Sequence, residues 1–452
     1  MALALVSLAL SLLLWLNGLI ESLNRPSIGH DLNRRQLELA VLAEPTLNGP
    51  FKPFIAGRAP LQTLKEALSK ELQEAHEDGA SINPTLELEQ ALVLRRLGNE
   101  AQADALLKEL VTENGQLAAL AKLLREPSDA TSSAVGPAER QTLIEGLPRG
   151  GLLRLWSCEA IINDQSCNSG SASGQAALQL IGVTVLPVIL LLAGIAALLR
   201  ELWIHWQGRA AEAPPLQGPM LNGVDAVLLI AGGFVVIGEL ITPLLVSPVL
   251  TSLLRILSIA SPLREGITVM SLYLALMVGP LVILTLMLRG KGETGRMQFR
   301  WQPLSWSLRL ALKGFLIVLP VVSLVGWIQG QLWGDPGGSN PLLDLVLNSH
   351  NVPALTCFGL TAIVLAPLFE ETIFRGALLP AVGAKLGPPA GILLSAAVFA
   401  VAHLSLGELL PLLVLGIGLG WLRWRSGRLG SCVLMHGLWN GLTFANLVVL
   451  GW

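Results

Sequence analysis

Hydrophobic and polar positions divide this chain into two regimes. Met1–Ile20 is almost wholly apolar, and about 20 such residues span the hydrocarbon core of a bilayer. From residue 21 to about 175, acids and bases return at the density of a soluble protein. Apolar positions there recur at helical spacing, as in Leu61, Leu64, Leu68 and Leu72. Beyond 175 the chain turns apolar again in eight segments, at about 177–199, 224–247, 267–288, 309–331, 354–374, 389–406, 408–424 and 431–451. The expected fold class is therefore all-α: a polytopic transmembrane helical bundle of about nine spans with an inserted soluble α-helical domain. The pattern divides as 1–20, a transmembrane anchor; 21–175, a soluble, mainly helical domain; 176–300, accessory transmembrane helices; and 301–452, a membrane domain that carries the chemistry. The first segment has neither a basic flank before it nor a small-residue cleavage site after it, so it reads as an uncleaved signal anchor.

Composition narrows the class. Of 452 residues, 52% are hydrophobic and 14% are charged, against roughly 25% charged in soluble proteins. Disorder, collagen and coiled coil are excluded. A net charge of -2 with a single tyrosine leaves neither an electrostatic footprint nor stacking platforms for nucleic acid, which is not an expected partner. The bilayer is one. Cys158 and Cys167 lie nine positions apart in a polar stretch, and would form a disulfide if that domain is exported.

Basic residues orient the spans, because loops rich in Lys and Arg stay in the cytoplasm. Arg200 and Arg209, then Arg289, Lys291, Arg296 and Arg300, then Arg423, Arg425 and Arg428 mark alternate loops. Residues 332–353 have no Lys or Arg, and 248–266 have only Arg255 and Arg264. The domain 21–175 is thus expected on the exoplasmic side, in periplasm or lumen, although Arg25, Arg34 and Arg35 pull the other way.

Ionisable residues inside apolar segments are the informative ones, since a charge at a helix centre costs roughly 2.5–3.5 kcal/mol on insertion scales. Glu371 and Arg375 are four apart and share a helix face, suited to an ion pair; Glu370 points about 100° away. His436 and Asn440 repeat the spacing, as do Phe399 and His403. A carboxylate and an imidazole can hold and deprotonate water, and an imidazole with an amide can donate to an oxyanion. The convergence of three helices is expected to make one wet pocket near the cytosolic leaflet.

At these residues the chain resembles the CAAX prenyl endopeptidase, Abi and bacteriocin-processing family of intramembrane proteases. Glu370-Glu371-x-x-x-Arg375, Phe399-x-x-x-His403 and His436-x-x-x-Asn440 follow that family's order, on separate transmembrane helices, over roughly 305–452. The resemblance implies an intramembrane endopeptidase acting on a membrane-associated peptide or lipopeptide. Glu370 and His403 would activate water, His436 and Asn440 would bind the oxyanion, and Glu371 and Arg375 would support the site. It leaves open a glutamate or a metal mechanism, the latter with zinc held by Glu370, His403 and His436. No His-Glu-x-x-His, Gly-x-Ser-x-Gly or Gly-x-Gly-Asp is present.

Blander readings stand beside these. Glu371 with Arg375 can be a structural ion pair, His403 an interface residue near a helix end, and Glu239 a hydrogen-bonded acid near Thr242. Gly416, Gly418 and Gly420 read as close helix packing, Trp421 and Trp424 with Arg423 and Arg425 as an interfacial belt, and Cys357 and Cys432 as small hydrophobes. Residues 88–107 resemble one tetratricopeptide unit, but a lone copy reads as a generic helical hairpin. Two other functions remain: a non-catalytic scaffold, immunity or maturation partner working through a protein that binds 21–175, or a transporter with a Glu/His proton relay.

Overall fold

Every described element is helical, as the apolar periodicities demand. The structure, a computed structural model, describes residues 1–25, 27–77, 83–112, 115–125, 135–147, 151–162, 167, 169–333 and 337–451; residues 334–336 of the base-poor loop and 163–166 between the paired cysteines lie outside them. Among the described residues no strand occurs. The helices are α1 (Ala2–Ser22), α2 (Ile28–Ala43), α3 (Pro60–Glu77), α4 (Pro84–Arg96), α5 (Glu100–Val111), α6 (Gln116–Arg125), α7 (Pro137–Glu145), α8 (Leu152–Ile161), α9 (Ser169–Trp206), α10 (Gly223–Ile256), α11 (Leu263–Leu288), α12 (Leu304–Trp333), α13 (Pro341–Leu347), α14 (Val352–Leu386), α15 (Pro388–Val401), α16 (Leu409–Ser426) and α17 (Leu429–Gly451). All nine expected segments are helical, and among the described residues seven helices are long and apolar enough to cross a membrane: α1, α9, α10, α11, α12, α14 and α17. The count of nine spans is therefore approximate: α15 is shorter, and α16 closes on Arg423 and Arg425.

The chain forms two compact units, one of Met1–Ile28 with Val188–Leu447 and one of Gly29–Pro187 with Val448–Trp452. In the second, leucines of α3 (Leu64, Leu68, Leu72) pack with Leu88 and Leu92 of α4, Leu107 of α5 and Leu120 of α6. The α4–α5 hairpin is present where residues 88–107 predict one. Cys158 and Cys167 are joined in a disulfide. This unit buries a charge cluster: Arg34 is paired with Asp31, Glu38, Glu71 and Glu89. Burial lowers the proton affinity of Arg34, but Glu89, Glu38 and Asp31 more than offset it and hold the guanidinium charged. Acids outnumber bases here, so one keeps its proton. Burial, then repulsion from Glu38, pushes Glu89 up to about 8 against the pull of Arg34 and Arg35.

In the first unit, small residues bring helices close. Ser11 of α1 donates to the Ala231 carbonyl of α10. Trp15 donates to Glu239 at 3.0 Å, so the partner of Glu239 is this indole and not Thr242, whose hydroxyl donates to Ile237. The glycines of α16 act as read: a Cβ at Gly416 would stand 3.0 Å from the Ala396 backbone of α15, and one at Gly418 would stand 2.3 Å from Val318 of α12. Arg423 departs from the expected interfacial belt. It is fully buried, with its guanidinium donating to the Gln217 carbonyl.

Gly416→Ala is expected to destabilise the membrane unit by about 1–3 kcal/mol through overpacking, measured by denaturant titration in detergent micelles. In the second unit, the folded state holds a proton on Glu89 that the unfolded chain, near 4.5, releases. Stability from this group is full below about pH 4.5 and is lost as pH rises toward about 8. Glu89→Gln should flatten that slope in thermal unfolding followed from pH 5 to 8.

Candidate active site

Four elements of the membrane unit converge on one cavity of about 570 Å³. α14 supplies Glu370, the turn after α15 supplies His403, and α17 supplies His436 and Asn440; Tyr273 of α11, Asn340, Thr361, Glu408 and Thr443 add further polar lining. The helical spacing in α14 delivers its charges as read. Glu371 and Arg375 are wholly buried and paired at 2.9 Å. The same Glu371 oxygen accepts the Nδ1–H of His436 at 3.0 Å, while Arg375 also donates to the Gly416 carbonyl at 3.2 Å. The closeness enforced at Gly416 is thus what lets Arg375 reach a second helix.

Glu370 faces the other way, into the cavity. Its Oε1 accepts the Tyr273 hydroxyl at 2.9 Å. Its Oε2 has no hydrogen-bond partner and lies 3.9 Å from His436 Nε2, a separation at which one water can touch both. His403 donates Nδ1–H to the Phe399 carbonyl at 2.8 Å. A carbonyl only accepts, so Nδ1 carries a proton, and in the neutral ring that leaves the lone pair on Nε2. Phe399 is the hub of the three motifs. Its ring lies 4.7 Å from the His403 ring, 5.7 Å from the His436 ring and 4.3 Å from the Arg375 guanidinium carbon, the last a cation–π contact.

Backbone chemistry explains Asn440. α14 widens into π-type turns at Thr361–Leu365 and Thr372–Leu378, on either side of Ala366–Glu371. Ala366 donates to Thr361, five residues back. The Ala362 carbonyl would by that register receive residue 367, which is proline and has no N–H. Asn440 supplies the missing donor at 2.8 Å, and its second amide hydrogen remains for the cavity.

Two expectations need correction. His403 does not lie within a membrane helix: α15 ends at Val401, and His403 follows in a turn closed by Leu404 at φ 50°. The cavity also lies away from the base-rich loops. It is walled by Asn340, Leu342, Leu343, Val346, His403 and Glu408, from segments that alternation puts opposite Arg300 and Arg428. Zinc fares no better as a geometric fit. Among the described residues no three His, Cys, Asp or Glu side chains stand within reach of one metal ion, so Glu370, His403 and His436 are not drawn together as a ligand set.

Residues 352–442 match the family model of the type II CAAX prenyl endopeptidase Rce1-like proteins. Over that segment the chain is similar to a Rce1-like domain. Residues 29–178 match a second model, a domain of unknown function (DUF8675). No curated protein and no solved structure matches the chain. The Rce1-like segment holds Glu370, Glu371, Arg375, Phe399, His403, His436 and Asn440, whereas Tyr273 lies outside it. Sequence reasoning missed Tyr273, although it is the one tyrosine of the chain and stands in an apolar span.

Tyr273→Phe removes a hydrogen bond to Glu370 that is worth about 1.5–3 kcal/mol if the carboxylate is charged. Folding should persist, and any turnover should fall by about ten- to a hundredfold. Labelling with ring-13C tyrosine gives a single resonance, which should move in Glu370→Gln and vanish in Tyr273→Phe.

Proposed function

We propose that the Rce1-like domain hydrolyses a peptide bond in a membrane-associated polypeptide, with Glu370 as general base. The observation that carries this reading is that Glu370, whose Oε2 has no hydrogen-bond partner, lines one cavity with His403, His436 and Asn440. Glu370, assisted by the free Nε2 of His403, takes a proton from water as the water oxygen bonds to the scissile carbonyl carbon. The resulting oxyanion is met by the second Asn440 N–H and by His436, whose ring Glu371 orients. Collapse of the tetrahedral species breaks the C–N bond. The proton held by Glu370 leaves with the amine, and the site returns to its starting state. Glu371 and Arg375 hold His436 in place and do not touch substrate.

The same proposal places residues 21–175 on the exoplasmic side. The base-rich loops lie at the far end of the membrane unit from Arg25, and the Cys158–Cys167 disulfide suits an oxidising compartment. A protein partner or substrate-recruiting role for this domain fits its position as an appendage outside the Rce1-like segment.

Purified protein turning over a fluorogenic lipopeptide tests the chemistry. Glu370→Gln and His403→Ala should each lower the rate by about 10²–10⁴-fold with thermal stability unchanged. Glu371→Ala should lose activity and fold together, because it strands a buried guanidinium at about 3–5 kcal/mol. Full turnover by Glu370→Gln would remove the general-base assignment.

A further inference from the structure

Within the membrane unit the loops sort into two sets. At one end Arg300 donates to the Gln217 side chain, Lys291 to the Met220 carbonyl, and Arg428 to the carbonyls of Arg300 and Gln302. At the other end Arg25 donates to the Leu404 carbonyl, Ser22 Oγ accepts the Leu406 N–H, Gly338 donates to the Arg25 carbonyl, and Gln329 donates to the Gly407 carbonyl. The first end carries Arg289, Lys291, Arg296, Arg300, Arg425 and Arg428, while the loops of the second hold Arg25, Arg255 and Arg264. The cavity reaches the second end. Asn340 and Leu342–Leu343 on one side, with His403 and Glu408 on the other, frame it, and none of its lining comes from the base-rich loops.

Chain insertion keeps basic loops in the cytoplasm. We infer that the cavity opens on the exoplasmic face and that its substrate is a polypeptide already carried across the bilayer, which enters as an extended apolar segment. The lining fits that guest. Val269, Leu343, Leu412, Trp439 and Phe444 offer apolar surface, and the charged groups within it are the acids Glu370 and Glu408 rather than any Lys or Arg. At the opposite end a separate cavity of about 1080 Å³ is lined by Arg296, Arg300 and Lys385. That chemistry matches the anionic headgroups of a cytoplasmic leaflet. A lipidated tail presented from the cytoplasm would meet this basic end and not the Glu370 carboxylate.

The substrate half of this inference rests on the peptidase reading; the orientation half does not. Full-length chains carrying Asp344→Cys, exposed on α13 beside the cavity-lining Leu343 and Leu345, or Arg289→Cys, at the basic end, are expressed in cells and exposed to a membrane-impermeant maleimide. Asp344→Cys should label in intact cells to the level seen after permeabilisation. Arg289→Cys should label only after permeabilisation. The reverse pattern, or equal labelling of both in intact cells, overturns the inference. Because labelling needs no turnover, the same result is expected in a Glu370→Gln background, so an inactive protein would count against hydrolysis and leave the orientation standing. The substrate half is read by comparing protein termini in cells with wild-type and Glu370→Gln chains. Uncut precursors should have their cleavage point on the exoplasmic side, and accumulation of precursors with cytoplasmic lipidated tails overturns it.

Discussion

A buried carboxylate inside a bilayer-spanning bundle has to be answered by its neighbours, and Glu371 organises the membrane unit around that demand. It shares one oxygen between the Arg375 guanidinium and the His436 imidazole. Arg375 in turn brings its own requirements, met by the Gly416 carbonyl and by the face of Phe399. α14, α15, α16 and α17 are thereby tied at one depth. Substituting any of these groups leaves charge in a low-dielectric interior, where the remaining partner has no water to turn to. The cluster is a structural lock, and it leaves over Glu370, on the same helix but rotated toward the cavity.

Proline sets a second constraint. A helix that gives up a backbone donor inside the membrane must recover it from a neighbour, because no water is available there. Pro367 removes the donor that the π-type register assigns to Ala362, and Asn440 restores it. The residue carried by the His-x-x-x-Asn motif therefore has a structural duty beside any role toward an oxyanion. These are compatible, since an amide has two hydrogens and the carbonyl of Ala362 takes one.

Much of this was legible in the sequence. Apolar length and periodicity locate all the membrane helices, and i,i+4 spacing pairs Glu371 with Arg375 and separates Glu370 from them. Resemblance picks out the motifs. Three things escaped a one-dimensional reading because each depends on long-range packing. The Trp15–Glu239 bond joins residues 224 apart. Arg423 looks like a snorkelling interfacial cation until Gln217 is placed beside it. Tyr273 belongs to a helix with no motif, and nothing in its local pattern announces that Glu370 stands opposite. The end of the bundle at which the cavity lies is a property of which loops meet, and spacing along α14 does not encode it.

The clasp between Arg25 and the Leu404 carbonyl joins positions 379 apart in the chain, with Ser22 and Leu406 beside it. The turn that carries His403 is thus fixed by α1 as well as by α15 and α16. Sliding α1 along its axis would drag that turn with it, so the setting of the imidazole depends on a helix far outside the segment that bears the motifs.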